Sequence, residues 1–125
     1  MLVALIILQL TAAEPPPWPA DPTRPVIVSE RDWIRRPSPE QVAAALPAAA
    51  REAGVGGKVV MRCMLTYDGG LDDCLVVVET PAGLGLGPAA VGLARAFQLN
   101  PMVDGQSATG GMIMVPVKFP APPRP

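Results

Sequence analysis

Apolar and polar residues alternate at the start of the stretch from Gly57 to Pro81, around which the rest of the chain is arranged. A period of two residues is typical of a β-strand with one buried face. The residues predicted to face the core are Val59, Met61, Cys63 and Leu65, which alternate with Val60, Arg62, Met64 and Thr66. The pair Asp68 and Gly69 follows, and an aspartate before a glycine is typical of a hairpin turn. The pattern therefore predicts a β-hairpin.

The second strand of this hairpin is predicted to begin at Leu71. Its apolar positions do not keep a single alternation. A bulge near Asp72 and Asp73 would restore the alternation, and a strand that is apolar on both faces would also account for it.

A helix is predicted to begin after Ser38, because a serine can cap the first turn, Pro39 suits the first helical position and Gln41 completes a capping box. The alanine-rich run that follows predicts a helix ending at Gly54. Pro47 lies inside the run and has no N–H to donate, so a kink or a split is expected there. The predicted buried face consists of Val42, Leu46, Ala50 and Ala53.

A second helix is predicted from Pro88 to Phe97, and a third strand over residues 112–119. Pro116 confines this strand to a sheet edge, or its nitrogen to the unpaired side. A hairpin followed by a helix and a strand favours a right-handed crossover that returns the third strand parallel to the second. The predicted fold class is α+β with two layers, a three-stranded antiparallel sheet of order 2-1-3 covered by two helices.

The two ends of the chain differ in composition from its middle. Residues 1–13 are an apolar run followed by small residues, which predicts a signal peptide or a short membrane anchor. Residues 14–25 are dense in proline and predict an extended linker. We therefore expect the folded domain over residues 26–119, outside the cytoplasm, and a disordered proline-rich tail over residues 120–125.

Composition excludes several classes of function. The net charge is −1 and there is no long basic run, which argues against a nucleic-acid partner. The chain contains no histidine, so Ser-His-Asp and Cys-His catalysis and histidine-containing metal sites are excluded. We expect a protein that is not an enzyme and needs no cofactor.

The only two cysteines, Cys63 and Cys74, are expected to lie roughly opposite each other on the two hairpin strands. In an oxidising compartment a structural disulfide is the default expectation. A redox-active pair is the alternative, although the chain lacks the Cys-x-x-Cys spacing that lowers the pKa of a thiol.

Two further groups of side chains resemble metal sites. Four methionines form a thioether set of the kind that binds Cu(I); they are Met61, Met64, Met112 and Met114. Three acids near the turn resemble part of a calcium loop; they are Asp68, Asp72 and Asp73. Because the methionines are explained more simply as strand residues, and the acids lack calcium-ligand spacing and a glutamate anchor, we predict no metal site.

Several short motifs, taken in their order and spacing, resemble the C-terminal domain of TonB proteins. They are Leu46-Pro47, Ala50-Arg51, Gly54-Val55, Gly57, Asp68-Gly69, Ala89-Ala90, Phe97, Pro101, Asp104-Gly105, Val115-Pro116-Val117 and Phe119. The similarity covers roughly residues 33–119. Leu46 stands where the family usually has an aromatic residue, and the basic residue usual next to Phe97 is missing.

The resemblance implies a periplasmic domain with two helices on a three-stranded sheet. It also implies a function in energy-coupled transport, in which the last strand captures an extended peptide, the TonB box, of an outer-membrane receptor or another membrane-transport protein by strand addition. Carried over by position, the partner-binding strand consists of Gly111, Met112, Ile113, Met114, Val115, Val117 and Phe119. The alternatives are a stand-alone adaptor that forms a homodimer through this edge without transducing energy, and an edge capped by the tail or by residues 26–28.

Overall fold

The computed structural model describes residues 25–103 and 105–123. The expected signal peptide and most of the expected linker therefore lie outside the described residues, as does Asp104. The elements in chain order are β1 (Pro25–Val26), a 3-10 turn (Glu30–Asp32), β2 (Trp33–Arg35), α1 (Pro39–Ala45), α2 (Ala48–Ala53), β3 (Gly57–Leu65), β4 (Leu71–Thr80), α3 (Leu86–Gly92), a second 3-10 turn (Ala94–Ala96), β5 (Gln98–Leu99), β6 (Met102–Val103), β7 (Gln106–Ser107) and β8 (Met112–Phe119).

The first helical region begins and divides where the sequence predicts. The Ser38 hydroxyl accepts a hydrogen bond from the Gln41 N–H at 3.1 Å, and the Ser38 N–H donates to the Gln41 side chain at 2.8 Å. Pro47 separates α1 from α2, and Gly54 ends α2 with a φ of 69°. Leu46 and Ala50 are buried as expected, but Ala53 is exposed. The prediction for Ala53 was wrong because the break at Pro47 leaves α2 with one buried residue, Ala50.

The hairpin of β3 and β4 is confirmed, and so is a bulge at the expected place. The register passes from Arg62 opposite Leu75 to Met64 opposite Asp72, and Asp73 has a φ of 49°. A second irregularity leaves Val77 without a register partner, because Val60 pairs with Val78 and Met61 with Val76. The second strand therefore combines both sequence interpretations: it is bulged, and it also carries apolar residues on both faces.

The turn between β3 and β4 depends on Gly69, whose φ is 87°. A Cβ atom at this position would lie 1.9 Å from the Leu99 carbonyl oxygen. Asp68 accepts hydrogen bonds from the Thr66 hydroxyl and, at 3.3 Å, from the Gly70 N–H. These bonds favour the ionised carboxylate and hold the pKa of Asp68 below its ordinary value.

The second predicted helix is shorter than expected. It begins at Leu86, before Pro88, and ends at Gly92; the chain continues to Phe97 through a 3-10 turn. Gly85, with a φ of 81°, occupies the N-cap position, and Pro88 then falls in the first turn, where its missing N–H costs no helical hydrogen bond.

The main sheet has four strands in the order β1-β8-β3-β4. β3 is antiparallel to both β4 and β8, so the predicted order 2-1-3 and the parallel relation of β4 to β8 are confirmed. The prediction of three antiparallel strands was incomplete, because β1 pairs with β8 in parallel and makes the sheet mixed. Pro25, expected to end the linker, belongs to this added strand.

One face of the sheet packs on the helices and forms the core. The four β3 residues predicted to face the core are buried there, namely Val59, Met61, Cys63 and Leu65. Leu86, Ala90 and alternate residues of β8 are buried with them. Register and alternation place the remaining side chains on the opposite face, which we call the open face. The open face consists of Lys58, Val60, Arg62 and Met64 on β3, Asp72, Leu75, Val78 and Thr80 on β4, and Met112, Met114, Pro116 and Lys118 on β8.

Two short ladders, absent from the predicted fold, complete the domain. β2 pairs with β5, and the Trp33 ring lies 5.3 Å from the Phe97 ring between centroids. β6 pairs with β7. Residues 120–123 form no helix or strand. Across residues 25–103 and 105–123, no helix is long and apolar enough to cross a membrane.

Candidate functional site

The main sheet has two outer strands, β1 with β8 on one side and β4 on the other. β4 exposes four consecutive apolar residues, Leu75 to Val78, with 40% to 57% of each accessible. However, its ladder with β3 is interrupted twice by bulges. Bulges twist an edge and disturb the spacing of its free backbone groups, which protects it against strand addition.

The β8 strand, in contrast, keeps one unbroken register with β3 from Met112 to Phe119. Its side chains alternate strictly between the core and the open face. An evenly spaced ladder on its inner side implies evenly spaced backbone groups on its outer side. β8 is therefore the strand on which another strand can be added with regular pairing.

Hydrogen-bond parity identifies which β8 backbone groups face outward. The Leu65 N–H donates to the Gly111 carbonyl at 2.9 Å, so the Leu65 and Gly111 pair is a hydrogen-bonded position of the β3–β8 ladder. Such positions alternate with positions whose N–H and C=O groups point away from the partner strand. The outward-facing residues of β8 are therefore Met112, Met114, Pro116 and Lys118. The nitrogen of Pro116 lies on the unpaired side, as the sequence predicts.

β1 covers the first part of this edge. Pro25 is the register partner of Met112, and Val26 that of Ile113. Val26 also packs against Gly111, where a Cβ atom would lie 2.7 Å from the Val26 side chain. Among the described residues no strand pairs with the outer side of β8 beyond Ile113. We call the stretch Met114–Phe119, as seen from this outer side, the free edge.

The seven residues assigned to partner binding from the sequence fall into three groups. Four of them are buried in the core, where their side chains hold β8 in place; they are Ile113, Val115, Val117 and Phe119. They contribute to the edge only through their position in the strand. Gly111 lies under Val26, and Met112 and Met114 are half-buried on the open face. Sequence reasoning left out Pro116 and Lys118, because which backbone groups of β8 face outward follows from the register with β3.

The scaffold under the edge contains the predicted disulfide. Cys63 on β3 is bonded to Cys74 on β4, with 4.1 Å between their Cα atoms. Cys63 pairs in register with Ile113, so the disulfide joins β4 to the strand that supports β8. Neither cysteine is free.

Of the two groups that resembled metal sites, the methionines are divided between the two faces of the sheet. Met61 is buried in the core, whereas Met64, Met112 and Met114 lie on the opposite face of the sheet. Within the described part of the chain, no three His, Cys, Asp or Glu side chains lie close enough to hold a metal ion together.

Comparison with known proteins agrees with the sequence resemblance. The family model described as the Gram-negative bacterial TonB protein C-terminal matches residues 42–120. The match includes both helices that carry core residues, the hairpin and all of β8.

One curated relative and two solved structures are similar to the chain. An uncharacterised protein of Caulobacter vibrioides is 37% identical over 61 residues, which span 48% of this chain and 61% of that protein. The solution structure of the Pseudomonas aeruginosa TonB C-terminal domain is 25% identical, with a TM-score of 0.45, covering 63% of this chain and 79% of that one. A structure of the TonB2 protein from Vibrio anguillarum is 20% identical, with a TM-score of 0.49, covering 86% and 98%.

Proposed function

The chain belongs to the family of Gram-negative TonB C-terminal domains, and from this membership we propose that it binds an extended peptide of an outer-membrane transport receptor by strand addition at the free edge. The domain acts in the periplasm, contributes binding rather than catalysis, and takes part in energy-coupled transport across the outer membrane.

The observation that carries this proposal is the combination of a regular ladder and a free outer side on β8. An edge strand offers its unpaired N–H and C=O groups to an incoming strand, and main-chain hydrogen bonds then supply affinity. Past β1 the free edge offers the carbonyls of Met114, Pro116 and Lys118 and the N–H of Lys118. A peptide strand that pairs with the free edge therefore acts mainly as a hydrogen-bond donor.

The side chains of the bound peptide meet two different environments. Those on one side of the added strand approach Met114, Pro116 and Lys118 on the open face. Those on the other side approach the rim of the core, where Phe119 is 2% accessible and Val117 4% accessible. We therefore expect apolar peptide residues on the core side and mixed residues on the open face.

β1 limits how far the peptide can extend. It occupies the outer side of Met112 and Ile113, so a peptide strand on the free edge covers about six residues of β8, Met114–Phe119. A longer ladder requires β1 to leave. We propose that the short ladder forms first.

The second candidate is a homodimer formed through the same edge, in which β8 strands of two copies pair. The exposed backbone groups that accept a peptide also accept another β8 strand. The two functions differ in their concentration dependence, because dimerisation occurs without any peptide.

The test is an NMR titration of the ¹⁵N-labelled domain with synthetic peptides from the N-terminal segments of outer-membrane receptors of the same bacterium. The proposal predicts amide shifts along Met114–Phe119, excluding the amide-less Pro116. Shifts confined to β4, or none at peptide concentrations in the millimolar range, would refute it.

A matched pair of variants isolates the backbone contribution. Lys118→Pro removes an outward-facing N–H, whereas Lys118→Ala keeps this N–H and removes the same ammonium group. Peptide affinity should fall about 2- to 12-fold further for Lys118→Pro than for Lys118→Ala, the equivalent of one net hydrogen bond. Equal affinities in the two variants would contradict strand addition at this position. Sedimentation of the unliganded domain distinguishes the homodimer.

A further inference from the structure

The open face carries three cations, Lys58 and Arg62 on β3 and Lys118 on β8. Lys58 is the register partner of Lys118, and hydrogen-bond parity makes this a non-hydrogen-bonded pair. The Cβ atoms of directly opposite residues lie about 4.5–5.5 Å apart, and like charges in such a pair destabilise the sheet. The two lysine side chains therefore leave the sheet side by side, in an arrangement that costs stability.

The charges around this pair do not balance it. Among the described residues the only salt bridge joins Arg36 to Glu30, neither of which belongs to the open face. Two acids border the open face, Asp73 at the bulge and Asp72, whose register partner Met64 is six positions from Lys58 along β3. At about 3.3 Å per residue this places Asp72 on the order of 20 Å away. The chain has a net charge of −1, yet this end of the open face is positive.

The lysine pair borders an apolar groove. The cavity has a volume of about 670 Å³ and is lined by both lysines together with Val78, Thr80, Phe119 and Pro120. Val78 is 49% exposed. A groove of this size holds several amino-acid side chains, and its floor is apolar while two cations stand at its border.

We propose that Lys58 and Lys118 bind a carboxylate of a peptide segment from a partner protein, whose neighbouring apolar side chains lie in the groove. Lys118 is shared with the free edge, but the rest of this site lies on β3 and β4, on the inner side of β8, so it goes beyond strand addition. A carboxylate between the two ammonium groups relieves their repulsion and forms charge-assisted hydrogen bonds.

Charge complementarity favours this occupant over two others. A second copy of the chain, presented through the same face, brings its own three cations and two acids, so its face is also positive overall. A free fatty acid has the right head group, but its alkyl tail would remain partly in water because the groove is open along the sheet. A peptide segment supplies both the acid and a surface that covers the groove.

The experiment uses two synthetic peptides that differ in one group, acetyl-Val-Glu-Val-Leu amide and acetyl-Val-Gln-Val-Leu amide. They are titrated separately into the ¹⁵N-labelled domain, and sodium octanoate is titrated as a third ligand. The glutamate peptide is expected to shift the amides of Lys58, Val78, Thr80 and Lys118 and to bind about two- to fivefold tighter than the glutamine peptide. Equal binding of the two peptides would overturn the proposal, because the carboxylate would then contribute nothing.

Charge-reversal variants test whether Lys58 and Lys118 cause the preference for the glutamate peptide. Lys58→Glu and Lys118→Glu should each abolish the preference for the glutamate peptide, while Arg95→Glu, a control at an exposed residue outside the groove, should retain it. Each single reversal creates an opposite-charge pair across the strands, so both variants are expected to fold. If octanoate binds at these residues and neither peptide does, the occupant is a free amphiphile and the proposal is overturned. If the amides shift with protein concentration in the absence of ligand, the occupant is a second copy of the chain, which also overturns the proposal.

Discussion

Pro116 gives the most specific test of how the free edge works, because it is the one residue of β8 that cannot donate a backbone hydrogen bond. Its nitrogen faces the outer side of the sheet, so replacing it adds a donor where the peptide would pair and leaves the β3–β8 ladder intact. Pro116 is exposed, and valine at this position suits a strand. We therefore predict that Pro116→Val binds receptor peptides more tightly than the natural chain.

The expected gain follows from one additional hydrogen bond in the ladder. One net hydrogen bond contributes about 0.5–1.5 kcal/mol, which corresponds to roughly a 2- to 12-fold lower Kd. The free domain itself is expected to lose a few tenths to about 1 kcal/mol of stability, because proline restricts the unfolded chain. Binding and stability should thus change in opposite directions.

Isothermal titration calorimetry with one receptor peptide measures the affinity, and urea unfolding measures the stability. The control is Pro123→Val, which makes the same chemical change in the exposed segment after β8. If Pro116→Val remained folded and bound no more tightly than the control, the peptide would not pair with β8 at this position. The added donor also favours pairing between copies, so sedimentation should accompany the calorimetry.

Three further predictions concern the scaffold. The double variant Cys63→Ala with Cys74→Ala should lose about 2–3 kcal/mol of unfolding free energy in urea, as expected for a closed loop of this length; an unchanged midpoint would show that the disulfide constrains little. Gly69→Ala should cost about 2 kcal/mol or more by thermal unfolding, because its φ is positive and a Cβ would collide with a backbone carbonyl; a loss below 0.5 kcal/mol would contradict the described turn. Lys118→Glu should raise stability by about 0.5 kcal/mol at low salt, since it turns a like-charge pair with Lys58 into an opposite-charge pair, and 1 M salt should remove the gain.

The predictable part of the fold is the part governed by local rules. Ser38 and Gln41 form a capping box whichever tertiary contacts follow, and Pro47 divides the helix because it has no N–H. The hairpin was predictable for the same reason, since alternation and the Asp68–Gly69 turn act over a few residues. Even the bulge at Asp73 appears in the sequence as an apolar pattern that changes phase.

The part of the fold that the sequence left open or missed depends on long-range pairing of short segments. β1 has two residues, one of them a proline, and carries no periodic signal; the sequence offered an edge capped by residues 26–28 only as an alternative, and Val26 does pair with β8 and pack against Gly111. β2 and β5 likewise pair through three and two residues across the chain. For the candidate site, this means that the sequence located a strand with a free outer side but overestimated the length of that free edge.

The sequence also indicated which residues lie along the edge without separating their roles. Buried residues such as Val115 and Val117 maintain the strand, while Pro116 and Lys118 present their backbone groups outward. That distinction requires the register with β3, since a shift by one residue would reverse every assignment.

The most direct test of strand addition is the hydrogen-exchange rate of the Lys118 amide, measured by NMR with and without a saturating receptor peptide. Parity places this N–H on the outer side of β8, where no described strand pairs with it. If a peptide strand adds to the free edge, the Lys118 amide should exchange about 2- to 12-fold more slowly in the complex, the equivalent of one net backbone hydrogen bond. A peptide that binds while the Lys118 amide exchanges at its original rate would contradict the proposed function.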